Sequence, residues 1–149
     1  MLNGKFSVLV VDDCEDDRLF IRRAIRKSTK LAIVNEAADG AEAIAYLAGK
    51  GEFGNRIKHP FPDVVLLDLK MPRISGHEVL AWLCTQTFDE LFVVVLSGSF
   101  LTTDVSRSME LGADAYFQKS PDPAEQEVMI EKITQLLDKA GSGRSTAPN

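Results

Sequence analysis

Five residues lie where short apolar runs of this chain stop: Asp12 and Asp13, Asp68, Ser97 and Lys119. Three ionised carboxylates brought together repel one another strongly. A small hard divalent cation relieves that repulsion. Mg²⁺ prefers oxygen ligands and typically uses one or two carboxylates plus phosphate oxygens. The set therefore reads as a Mg²⁺ site with room for a phosphoryl group. One carboxylate is then the nucleophile, since aspartate can form an aspartyl-phosphate. Asp68 is the candidate, because it ends a central strand and precedes a tight Met71-Pro72 turn that should leave it exposed. Asp13 is assigned to the metal directly and Asp12 to a metal-bound water. The main-chain carbonyl of Lys70 is a further oxygen ligand. Lys119 and Ser97 would contact the phosphoryl oxygens, with transition-state charge spread over Mg²⁺ and Lys119.

Each residue alone has a plainer explanation. An Asp-Asp pair after a strand often serves only as a helix N-cap. A carboxylate or an ammonium in a loop is commonly just solvated. The weight comes from their joint arrival at the ends of different strands. In open α/β sheets that edge is where ligands bind.

The elements that must position them follow from periodicity. Residues 6–11, 31–36, 64–67, 91–96 and 115–118 are short apolar or β-branched runs that read as strands. Val64–Leu67 is solidly apolar, as a strand buried on both faces should be. Between and after them, residues 15–27, 40–48, 76–84, 102–111 and 123–139 carry helical patterning. Asp39 is placed to cap the second helix and Gly112 to end the fourth. Alternation of this kind predicts an α/β fold, a doubly wound parallel sheet with helices on both faces and right-handed crossovers. Residues 49–62 form a connection longer than two elements usually need. Residues 141–149 are rich in Ser, Gly and Pro and are expected to be a disordered tail behind one domain over residues 1–140.

Length and composition fit that picture. The chain has 149 residues, 45% hydrophobic and 26% charged, ordinary values for one globular domain. A net charge of -5 argues against non-specific binding to nucleic acid or acidic lipid. No apolar run is long enough to cross a bilayer, and the N-terminus lacks a signal-peptide core, so the cytoplasm is the expected compartment. The two cysteines, Cys14 and Cys84, have no metal-ligand spacing and read as reduced thiols.

Taken in order, the segments resemble the receiver domain of two-component response regulators. They are Val8-Leu9-Val10-Val11-Asp12-Asp13, Asp39-Gly40-Ala41-Glu42-Ala43, Val65-Leu66-Leu67-Asp68-Leu69-Lys70-Met71-Pro72, Leu96-Ser97-Gly98 and Gly112-Ala113-Asp114-Ala115-Tyr116-Phe117-Gln118-Lys119. The resemblance covers about residues 6–138. It implies a flavodoxin-like five-stranded sheet of order 2-1-3-4-5. It implies that Asp68 accepts phosphate from a sensor histidine kinase with Mg²⁺, followed by slow self-dephosphorylation. It also implies that Ser97 and the aromatic Tyr116 form the switch that remodels the surface of the fourth helix, fifth strand and fifth helix. The long 49–62 connection and the lack of an output domain narrow the resemblance to stand-alone regulators that partner bacterial phytochromes. That subset implies a phytochrome-type kinase, a homodimer through the fourth and fifth helix region, and onward transfer through a histidine phosphotransfer protein as a further route. One departure stands out: Ser120 and then Pro121 follow Lys119, where the family usually has proline at once.

Other residues carry less. His77 reads as an exposed or capping residue at a helix start, and neither it nor His59 has metal-ligand spacing. Trp82 and Phe88 read as helix packing. Phe20 and Arg23 sit where kinase contact is implied by resemblance, and equally suit a core residue and a solvated charge. Two rival functions stay open: a receiver-like binding module without phosphorylation, and a phosphate-ester hydrolase using aspartate and Mg²⁺. The second usually carries an acid two residues after its nucleophile, where this chain has Lys70. After Lys139 too little chain remains for a DNA-binding domain, so a transcription factor is not expected.

Overall fold

The structure is a computed structural model, and it describes residues 2–88, 90–99 and 101–145. Five strands form one parallel sheet: β1 (Phe6–Val11), β2 (Leu31–Ala37), β3 (Val64–Leu67), β4 (Phe92–Ser97) and β5 (Ala115–Gln118). Their spatial order is β2-β1-β3-β4-β5, every pair parallel. Five helices connect or follow them: α1 (Glu15–Lys27), α2 (Gly40–Ala48), α3 (Gly76–Leu83), α4 (Thr102–Glu110) and α5 (Pro123–Ser145).

Period-two alternation within the strands divides the core between two faces. Leu9, Val11, Val65, Leu67, Val93 and Val95 point to one face, packing with Ala43, Tyr46 and Leu47 of α2 and Val79 and Leu80 of α3. Val8, Val10, Val64, Leu66, Val94 and Leu96 point to the other, against Ile21 and Ile25 of α1 and Ile130, Ile133 and Leu137 of α5. With both faces covered, the central strands must be apolar throughout, and β3 and β4 are fully buried. Neither half of the core includes a residue of α4.

Local chemistry sets the helix ends. Asp39 caps α2 by accepting from the Glu42 N–H, and Ser75 with Glu78 forms a capping box on α3. Gly49, at φ 68°, ends α2 in the left-handed conformation. Gly76 is needed for a different reason. A Cβ there would fall 2.2 Å from the Asp68 carbonyl oxygen, because the start of α3 presses on the strand end that carries Asp68.

One expectation needs correction, and the long 49–62 connection has a built structure of its own. A 3₁₀ turn at Gly51–Gly54 opens it. Phe53 and His59 pack their rings on each other and on Tyr46. Arg56 lies over the Tyr46 and Phe61 rings and donates to the Leu47 carbonyl at 3.0 Å. The fifth helix runs on to Ser145, through part of the segment expected to be a disordered tail. Glycine costs a helix about 1 kcal/mol each, which Gly141 and Gly143 do not raise enough to stop it. The rest of that expectation, residues 146–149, lies outside the described residues.

Candidate functional site

Parallel register brings the acidic residues together. Val11 pairs with Leu67, so Asp12 and Asp68 leave their strands side by side. The Asp68 N–H donates to the Val11 carbonyl at 2.9 Å. On the far side, Ser97 pairs with Gln118 and the Lys119 N–H donates to the Ser97 carbonyl at 2.8 Å. The same ladder that holds the sheet thus aligns Asp12, Asp68, Ser97 and Lys119 along one edge.

Carboxylate oxygens of Asp12, Asp13 and Asp68 lie within 4.8 Å of one another. The Lys119 ammonium reaches across them, 2.7 Å from Asp12 Oδ2, 2.9 Å from Asp17 Oδ2 and 3.5 Å from Asp68 Oδ2. Asp12 is 1% exposed and Asp68 5%, while Asp13 is open to solvent. The expected exposure of Asp68 is therefore wrong. The Met71-Pro72 turn does not lift it clear: Lys119 stands 3.5 Å from its carboxylate, and the start of α3 packs on its main chain.

Burial has an electrostatic consequence. It pushes the Asp68 carboxyl up to about 6, against the pull of Lys119, and the Asp12 charge pushes the same way. The Lys70 N–H donates to the carboxylate and moderates the rise. For Lys119, burial opposes the charged form. Hydrogen bonds to Asp12 and Asp17 and the charges of Asp68 and Asp12 outweigh it and hold the ammonium well above the ordinary lysine range.

Could these residues hold a cation? Asp12 Oδ2 is buried, and beyond the Lys119 ammonium at 2.7 Å it meets no hydrogen-bond donor among the described residues. Lone pairs left over on a buried carboxylate, within reach of two other carboxylates, fit a hard divalent ion. All candidate ligand atoms are oxygens, which again suits Mg²⁺ or Mn²⁺ over softer metals. A cavity of about 520 Å³ opens beside Asp13, Lys70, Met71 and Pro72.

Around Ser97 the structure contains a hub that the sequence did not reveal. The Ser97 hydroxyl is buried and accepts from the Ser99 N–H at 3.2 Å. The Tyr116 hydroxyl donates to the Ser99 carbonyl at 3.1 Å, so the ring is turned in toward this loop. Ser99 Oγ donates to Asp104 at 2.5 Å. Asp17 was missed as well. On sequence it is one of three acids in the first turn of α1, where acids favour the helix dipole, and spacing does not mark the one that meets Lys119.

The departure after Lys119 has a local explanation. Ser120 Oγ accepts from the Asp122 N–H at 3.1 Å and donates to Glu125, and the Ser120 carbonyl accepts from Gln126 at 2.7 Å. Ser120 thus helps start α5. No peptide bond among the described residues is cis. Trp82 and Phe88 are packing residues, with ring centres 6.0 Å apart. His77 is not the exposed or capping residue expected: Ser75 caps α3, and His77 is half-buried against α4. Phe20 is 36% exposed. Both cysteines are exposed free thiols. No helix among the described residues is long and apolar enough to cross a membrane.

Comparison with known proteins agrees with this geometry. The chain is 35% identical to the response regulator Rcp1 of Synechocystis over 117 residues, 76% of each protein. It superposes on the phosphorylated cyanobacterial phytochrome response regulator RcpA with TM-score 0.76 and 32% identity, covering 89% of this chain and 94% of that one. The Mn²⁺-bound form of Rcp1 superposes with TM-score 0.71 and 34% identity, covering 86% and 91%. The chain also spans 38% of a protein-glutamate methylesterase of Myxococcus xanthus and 53% of a probable transcriptional regulator of Porphyridium aerugineum. Residues 8–141 match the response regulator receiver domain, and the chain belongs to that family of two-component signalling proteins.

Proposed function

We propose that Asp68 is the phosphoacceptor of this receiver domain and that Asp12, Asp13 and the Lys70 carbonyl, with Asp68, hold one Mg²⁺. The observation that carries this reading is the meeting of three carboxylates within 4.8 Å, two of them, Asp12 and Asp68, facing one lysine. An Asp68 oxygen attacks the phosphorus of a phosphohistidine. The new O–P bond forms as the N–P bond breaks, and the electron pair leaves on the imidazole. Lys119 and the Ser97 hydroxyl bind the phosphoryl oxygens. Bound Mg²⁺ supplies charge neutralisation for the acceptor and the incoming phosphoryl group.

The donor is a sensor histidine kinase. Likeness to RcpA, a phytochrome response regulator, favours a phytochrome-type kinase in the cytoplasm. The protein catalyses only its own phosphorylation and slow dephosphorylation. Ser97 and Tyr116 pass the phosphorylated state to the α4–β5–α5 surface. Residues 1–140 act as the receiver unit; a homodimer or a histidine phosphotransfer protein is the natural user of that surface.

The test is mass spectrometry of the intact chain after incubation with acetyl phosphate and Mg²⁺. One added phosphoryl group is expected, lost in Asp68→Asn and absent when the metal is chelated. Unchanged mass in the wild type would favour a receiver-like binding module instead.

A further inference from the structure

α4 is unlike the other helices. Its one buried residue is Ser108, a polar one, and its flanking or outward apolar groups Leu101 and Met109 stay 60% and 44% exposed. A helix normally stays docked by burying an apolar stripe. α4 lacks that stripe, so its attachment has to come from elsewhere.

Polar contacts supply it. The Ser108 hydroxyl donates to the Asp104 carbonyl one turn back at 2.7 Å, which uses its only hydrogen. Its lone pairs then face His77 Nε2 at 3.3 Å, so the imidazole is the donor through an Nε2–H. The same nitrogen stands 3.5 Å from the Asp104 carbonyl. At the helix start, the Asp104 carboxylate accepts from Ser99 Oγ at 2.5 Å, and the Leu101 N–H donates back to that oxygen at 3.2 Å. At the far end, Cys84 Sγ meets the Leu111 carbonyl at 3.1 Å.

We propose that His77 is a positioning residue which, with Ser108, Asp104 and Ser99, latches α4 to α3 and to the Ser97 loop. Ser99 belongs to both systems. Its N–H is bound to the Ser97 hydroxyl and its own hydroxyl to Asp104. If Ser97 turns toward a phosphoryl group, as the proposed function requires, the Ser99 N–H loses its acceptor. Ser99 can then shift, and the Asp104 end of the latch loosens. No apolar side chain within α4 is fully buried to resist; Val105 is half-buried, and Leu111 packs on the core just past the helix end. The His77 end stays fixed to α3, so it sets how far α4 is free to move. This step rests on the proposed phosphorylation; the existence of the latch does not.

Hydrogen exchange read by mass spectrometry on the full chain tests both parts. In the unmodified protein, His77→Ala and Ser108→Ala should each speed exchange of the α4 amides about tenfold, with β1, β3 and β4 unaffected. His77→Gln, which keeps a donor, should restore most of the protection. Acetyl phosphate with Mg²⁺ should speed α4 exchange in the wild type and add little in His77→Ala, while that variant still gains a phosphoryl group. Unchanged α4 exchange in both His77→Ala and Ser108→Ala overturns the latch. So does a His77→Gln variant that behaves like His77→Ala with its strands intact. A wild type that takes up no phosphoryl group sinks the proposed function and leaves the unmodified comparison readable.

Discussion

Asp68 carries a cost that its neighbours only partly offset. Its folded carboxyl titrates at about 6, above the ordinary aspartate value of 3.8, because it is buried beside Asp12. A raised folded value means that the native state binds more protons than the unfolded chain between these limits. Stability must therefore fall as pH rises through that window. The loss at neutral pH is of order 3 kcal/mol in the absence of metal. Asp68→Asn should remove this slope: thermal melts of the variant from pH 4 to 8 should be flatter than wild type, and its melting point at pH 7.5 higher. A variant less stable than wild type at pH 7.5 without Mg²⁺ would contradict the burial argument. Gly76 makes a second prediction at this scale. The Cβ of Gly76→Ala would lie 2.2 Å from the Asp68 carbonyl oxygen and 2.6 Å from Leu69 Cα, both backbone atoms that cannot rotate away. The variant should lose about 2–4 kcal/mol in urea unfolding and most of its phosphoryl uptake, since the strand end carrying Asp68 has to move.

At the scale of elements, what could be read ahead of the structure was what burial dictates. Val8–Val11 and Val64–Leu67 are apolar on both faces because helices cover both faces, and their bounds emerged correctly for that reason. Asp39 caps α2 through local chemistry that needs no tertiary partner. Contacts between side chains distant in sequence were not legible. Tyr46 and Arg56 look like an ordinary helix aromatic and a loop cation, yet they organise the 49–62 connection. The Tyr46 hydroxyl donates to the Pro60 carbonyl at 2.7 Å and Arg56 caps both rings. His77 was misread for the same reason, since its partner Ser108 lies 31 residues away. If the connection is held by this cluster, Arg56→Ala should cost about 1–2 kcal/mol and open the amides of residues 50–59 to exchange. Phosphoryl uptake should be unchanged, because the cluster makes no contact with Asp68. Equal protection in Arg56→Ala and wild type would show the turn to be self-supporting.

For the whole molecule, the sheet edge is where a tightly packed scaffold meets a crowd of like charges. Two apolar half-cores fix the strands, and the strands then hold Asp12, Asp13 and Asp68 closer than their charges favour. Lys119 serves three carboxylates at once, so the pocket keeps excess negative charge. That surplus would be the physical basis for the proposed Mg²⁺ affinity, and it is available only after folding has assembled the edge. Mg²⁺ should therefore bind the native state alone and raise its stability by mass action, about 2.7 kcal/mol at a hundredfold excess over the dissociation constant. In a chain of this size the midpoint should climb by about 5–10 °C in scanning calorimetry. Asp13 is exposed, so Asp13→Asn leaves the core intact while removing a ligand. Its melt without metal should match wild type, and its Mg²⁺ shift should fall below about a third of the wild-type shift. The wild-type shift should also shrink at pH 5, where Asp68, titrating at about 6, is largely protonated and competes with the metal. An Asp13→Asn protein that gains as much from Mg²⁺ as the wild type would place the ion elsewhere and leave the acidic edge without its proposed purpose.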